Sequence, residues 1–198
     1  MPAQGDPVPV FQALVSLYGQ PQRYYHNFDH INDCLAEFDA FRHLARQPVA
    51  VELAIWFHDA VYDPRAADNE EKSVEFVQRQ LGKAAAGAEL CAAVSALILA
   101  TKTHDASAQE DAPLLIDVDL SILGQPAERF LRYESQIRRE FEWVPEMTFA
   151  AKRAEILERF LARKSIYATR EFIRKYEERA RRNLESSIRK LRRTTGVI

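Results

Sequence analysis

The sequence predicts an all-α fold, and three observations carry that prediction. Apolar residues recur at three- and four-residue spacing along almost the whole chain, no segment alternates apolar and polar residues as a half-buried strand would, and glycine is scarce, at 6 of 198 residues. The length suits one well-cored domain better than two. We therefore expect a single helical bundle, with a core over about 24–124 and a helical C-terminal extension over about 125–198, ending in a long helix.

Taken in order, "FQALVSLYG" (11–19) reads as a short helix ended by Gly19, and "INDCLAEFDAFRHL" (31–44) as an amphipathic helix. The stretch "VAVELAIWFHDAVY" (49–62) is apolar nearly all round, which predicts the buried central helix. Asp68 and Glu71 have capping-box spacing ahead of "NEEKSVEFVQRQL" (69–81), which a glycine should end. "ELCAAVSALILATKTH" (89–104) is a further helix, and "APLLIDVDLSILG" (112–124) a short apolar segment. "AERFLRYESQIRREFEW" and "TFAAKRAEILERFLARK" follow, then a helix from about 168 to 193. Its apolar stripe, Phe172, Tyr176, Ala180, Leu184, Ile188 and Leu191, must dock against the body or against a second subunit, which leaves a homodimer open.

The bulk composition, 47% hydrophobic and 28% charged, is that of a globular domain. No apolar run approaches the ~20 residues of a membrane span, and "MPAQGDPVPV" has no basic-then-apolar signal pattern. The expected setting is cytoplasmic, with no membrane partner. Cys34 and Cys91 sit singly in apolar helical patterns, as small core residues do. Between Arg170 and Arg193 ten Lys/Arg face four Glu, in a chain of net charge −2. A solvated basic helix face explains this asymmetry better than an anionic partner, and few aromatics interleave the cations, so nucleic acid is not the expected ligand.

Two of the five histidines stand four apart in "YYHNFDH" (24–30), a spacing that puts His26 and His30 on one face if the segment is helical. His58 and Asp59 are adjacent in the apolar "WFHDAVYD", where an ionised carboxylate costs several kcal/mol unless paired or metal-bound. Asp117 and Asp119 interrupt the aliphatic run "LLIDVDLSIL". Singly, each could cap a helix or sit as a satisfied core group. Together, two imidazoles and two carboxylates form a mixed N/O set suited to a divalent transition ion or magnesium. A zinc-protease reading of "HNFDH" fails, because Asn27 stands where the HExxH motif needs its glutamate.

The order H … HD … D resembles the HD superfamily of metal-dependent phosphohydrolases, an all-helical fold. In particular, the segments at 25–31, 56–64, 68–73, 100–104 and 117–124 are similar to signatures of a small bacterial subfamily of HD phosphohydrolases. The resemblance implies one divalent metal ion (Mn, Mg, Co, Ni, Fe or Zn) held by His30, His58, Asp59 and Asp119, with Asp117 as the alternative to Asp119. Asp59 counts among the catalytic residues as well. In the cyclic-nucleotide phosphodiesterases of the same superfamily, the first histidine of a similar segment is the general acid. By that resemblance His26 protonates the leaving oxygen, or else it orients the site. The implied reaction is hydrolysis of a phosphate ester or anhydride, on a small phosphorylated substrate of the nucleotide class, by water activated on the metal. The rival reading is an HD-fold metal and nucleotide sensor without turnover.

The pattern departs from HDxxE nucleotidases, since Tyr62 stands where they carry glutamate; Glu70 or Glu71 could take that role. Arg23, Lys102 and His104 are candidate phosphate contacts. Arg181 and Asn183 match a further segment of the resembling subfamily and could reach the site. His43 is expected at the surface or rim.

Overall fold

A computed structural model of the chain describes residues 6–196. Among the described residues there are nine α-helices, two short 3-10 turns and no strand, so the fold is all-α as predicted. No helix among them is long and apolar enough to cross a membrane. The chain divides into two compact units, one running to Val118 and the other from Asp119 onward.

The first unit contains α1 (Val8–Tyr18), α2 (Phe28–Phe41), α3 (Pro48–Phe57), α4 (Asn69–Lys83), α5 (Ala88–Thr103) and α6 (Ala112–Asp119). The boundary between units falls at the last residue of α6, so Asp119 is carried by that continuous helix. At its centre α3 packs on α2 and α5, while α4 lies along α5. Ile31 and Phe38 of α2, Val51, Ala54 and Ile55 of α3, Val77 of α4, and Val94 and Ile98 of α5 are completely buried. Full burial of each of the larger side chains contributes about 1.5–3 kcal/mol.

The start of α3 is fixed from a distance. Its own N-cap residue, Gln47, supplies no side-chain cap. Instead the buried Asp111 accepts from Arg46 N at 2.9 Å and Gln47 N at 2.8 Å. One carboxylate thus satisfies two amides at the positive end of the helix.

Several boundaries differ from the sequence expectations. The central helix stops at Phe57 rather than running to 62, so His58 and Asp59 lie just beyond its end. Its last turn closes with His58 N donating to Ala54 O, and the next carbonyls, of Asp59 and Ala60, are taken by the Arg23 guanidinium instead of by helix amides. Helix α2 begins at Phe28 with Asn27 as N-cap, its side chain accepting from Asp29 N, so His26 precedes the helix. No capping box forms at α4. Asp68 pairs with Lys72 and Glu71 with Lys102, because each carboxylate has a cation within reach. Gly82 lies inside α4, and the chain leaves the helix through Ala85, whose φ is +51°.

The second unit holds a 3-10 turn at Leu120–Gly124, then α7 (Ala127–Glu140), α8 (Glu146–Leu161) and α9 (Arg170–Thr194). Helix α9 packs along α8 and over the 3-10 turn. The first four residues of its predicted stripe, Phe172, Tyr176, Ala180 and Leu184, are buried within this unit. Gly124 allows the close crossing, since a Cβ there would stand 2.5 Å from Tyr176 Cβ.

Two stability changes follow. Asp111→Ala should lower the unfolding free energy in urea by about 1.5–3 kcal/mol, because two amides at the start of α3 lose their charged acceptor. Gly124→Ala should cost about 1–3 kcal/mol by overpacking α9. Far-UV circular dichroism of the folded variants should stay unchanged.

Candidate metal centre

Three backbone devices bring the ligand-type side chains together. The Asn27 cap starts α2 so that His30 falls in its first turn, facing inward and buried. The end of α3 puts His58 at the C-cap, also buried, with Asp59 next along the turn. Helix α6 ends on Asp119. One ligand-type atom from each of His30, His58 and Asp119 lies within 4.8 Å of the others. Asp119 belongs to this trio; Asp117, wholly buried one half-turn earlier in α6, and Asp59 are not among its three members.

The geometry between the imidazoles and Asp59 is tighter. His30 Nε2 and His58 Nε2 stand 3.3 Å apart, and Asp59 Oδ2 lies 3.2 Å from His58 Nε2 and 3.6 Å from His30 Nε2. Two donors each about 2.1 Å from a common ion are about 3.0 Å apart at octahedral angles and about 3.4 Å apart at tetrahedral ones. The observed edges are of that size. The tautomer of His58 also fits. Its Nδ1 is 2.9 Å from Ile55 O, where only an N–H can bond, so Nε2 presents its lone pair to the cluster.

Burial alone would raise the Asp59 carboxyl. When the imidazoles carry their second proton, the charges of His58 and His26, the His58 hydrogen bond and the charge of His30 outweigh it and hold the group well below the ordinary carboxylate range; with His58 Nε2 deprotonated, a cation bound there takes that place. Asp59 is therefore a carboxylate in the fold, and a cation among these atoms would reinforce the same state. The surrounding wall is aromatic and apolar. Tyr25, itself buried, lies 4.7 Å from the His30 ring, and Cys34 Sγ is 3.7 Å from His30 Nδ1. His26 is half-buried beside them, its ring 6.1 Å from that of His30.

The candidate phosphate contacts are otherwise engaged. Arg23 is buried and was expected to meet substrate. Its Nη1 donates to Asp59 O at 2.6 Å and His26 O at 3.3 Å, its Nη2 to Ala60 O at 2.9 Å, and its Nε to Gln20 at 3.0 Å. All three nitrogens hold the chain, so Arg23 is a clamp behind the cluster. Lys102 bonds Ala67 O at 2.8 Å and pairs with Glu71, tying the loop before α4 to the end of α5. His104 is the left-handed C-cap of α5, at φ +50°, and Glu70 lies in the first turn of α4. His43 is exposed, as expected.

In the second unit every nitrogen of the Arg181 guanidinium is in use, on Glu177 and on the carbonyls of Leu161, Arg163 and Lys164. The Asn183 amide donates to Leu123 O and Gln125 O. Both residues order their own unit's turns. The contributions of Arg23 as clamp and Tyr25 as wall were missed from sequence. The only available signal was the clustering of arginine and tyrosines directly before the histidine pair.

No family model, curated protein or solved structure matches the chain.

His58→Ala should abolish stoichiometric metal retention while keeping the helical content, as read by elemental analysis and circular dichroism. Arg23→Lys keeps the charge but cannot reproduce the fork. It should weaken metal affinity by about 10–100-fold, the scale seen when a group that orients ligands is lost.

Proposed function

We propose that the chain is a cytoplasmic metal-dependent phosphohydrolase of the HD type, acting on a phosphate ester or anhydride of a small nucleotide. The observation that carries this reading is the convergence of His30 and His58 Nε2 with Asp59 Oδ2 at 3.2–3.6 Å, next to Asp119 and with the His58 tautomer set by Ile55 O. That donor set suits one divalent ion of the Mn, Mg, Co, Ni, Fe or Zn group. When bound, such an ion supplies Lewis acidity: it acidifies water at neutral pH and polarises a phosphoryl oxygen.

The chain's own residues supply the rest. His30, His58, Asp59 and Asp119 hold the ion. His26, beside His30, delivers a proton to the leaving oxygen. Tyr25 and Cys34 exclude water from one side of the His30 imidazole.

A second reading, a metal and nucleotide sensor without turnover, draws on the engagement of Arg23 and Lys102 inside the fold, which leaves both cations committed away from substrate.

The deciding experiment strips the protein of metal and reloads it with Mn²⁺, Mg²⁺, Co²⁺ or Ni²⁺. Phosphate release is then followed across a nucleotide panel. One ion per chain with metal-dependent release is the expected result; stoichiometric metal without release from any compound would replace the hydrolase with the sensor. His26→Ala should keep its metal and lose about 10²–10⁴-fold in kcat, the usual contribution of a positioned acid.

A further inference from the structure

The Tyr62 ring lies 4.1 Å from the His26 imidazole with the two planes 26° apart, a face-to-face stack. Two further aromatic neighbours of His26 meet it at steep angles. Tyr25 stands 5.0 Å away at 82°, and His30 6.1 Å away at 75°. A stacked partner restrains the plane of a ring, whereas edge contacts restrain chiefly its reach.

The backbones on both sides of the stack are fixed. His26 O accepts from Arg23 Nη1. Next to Tyr62, Val61 N donates to Ser73 Oγ at 3.0 Å, and that hydroxyl bonds back to Val61 O at 3.3 Å. Ser73 is completely buried in α4. The guanidinium of Arg23 also sits 5.6 Å from the Tyr62 ring centroid. Tyr62 is thus anchored to α4 and presents a flat face to His26 three residues after Asp59.

We propose that Tyr62 is a positioning residue for His26, setting the plane of the imidazole so that its nitrogen meets the leaving oxygen of a phosphate ester. This rests on the phosphohydrolase reading for its catalytic consequence. The restraint of the ring is independent of it. Tyr62 occupies the position at which HDxxE enzymes carry a glutamate, so the same place on the chain here serves the acid through an aromatic face.

The test uses the full chain with Mg²⁺ present and histidine side-chain NMR, His26→Gln assigning the His26 signals. In the wild type, ring-current displacement by Tyr62 should place the His26 carbon-bound protons upfield at a single position. Tyr62→Phe should preserve this, while Tyr62→Leu should remove the displacement and broaden or multiply the signals. Tyr62→Met serves if the leucine variant does not fold. Unchanged His26 signals in a folded Leu or Met variant would overturn the proposal, whatever the activity.

Kinetics with Mn²⁺ and a nucleoside 5′-monophosphate, whose alkoxide leaving group needs a proton, then read the consequence. Tyr62→Leu should lower kcat about 10–100-fold, with KM within about twofold and metal content unchanged, the size of a misplaced reacting group. Tyr62→Phe should restore kcat to within about threefold of wild type. Altered NMR signals with kcat unchanged would remove the catalytic role from Tyr62. If the wild type releases nothing from this ester or from any other nucleotide, the NMR result still decides the restraint, and it is the phosphohydrolase reading that falls.

Discussion

The first unit depends on one buried guanidinium. Arg23 donates to the carbonyls of His26, Asp59 and Ala60, residues up to 37 positions away along the chain. Charge-assisted bonds of this kind are worth about 1.5–3 kcal/mol each, and here their geometric effect matters as much. By drawing off the carbonyls after Phe57, the guanidinium ends α3 at the place where His58 and Asp59 must turn toward His30. By holding His26 O, it fixes the approach to α2. The tyrosine rings of Tyr18 and Tyr62 flank the same group at 5.3 and 5.6 Å, so the charge is buried among bonds and aromatic faces.

Much of this arrangement was legible in the sequence, for a clear physical reason. Helical periodicity is local, so the helices could be read from the spacing of their own apolar residues. Polar residues stranded in apolar surroundings are local signals too: His58, Asp59 and the pair Asp117 and Asp119 stood out on that basis and His30 by its spacing from His26, while the choice of Asp119 came from the resemblance. Devices that join distant segments were not legible. Arg23 looked like a cation available to substrate because nothing in its neighbours names the carbonyls it holds. Asp111 caps α3 from 64 and 65 residues away and resembles any loop aspartate. Arg181 and Asn183 likewise become structural only once the turns they bond to are in place.

The histidine pair shows how two residues can adjoin through a local structure other than the one expected. The spacing of four suggested one helical face. In the fold Asn27 caps α2 between the two residues, leaving His26 outside the helix and His30 within it. They still adjoin, edge to face at 6.1 Å. The separation gives them different constraints. His30 is tied to the helix and to buried neighbours, whereas His26 lies before the helix against the rings of Tyr25 and Tyr62. A ligand needs the first kind of support, and a group that moves a proton can use the second.

The position of His58 at the end of α3 has an electrostatic consequence. Ten residues of aligned peptide dipoles place the negative pole of α3 at the cluster, where the Asp59 carboxylate adds to it and Asp119 stands close by. On the proposed reading this pole and the two carboxylates draw a divalent cation, while the Arg23 guanidinium, bonded to the carbonyls of Asp59 and Ala60 just past the helix end, offsets part of the same negative field.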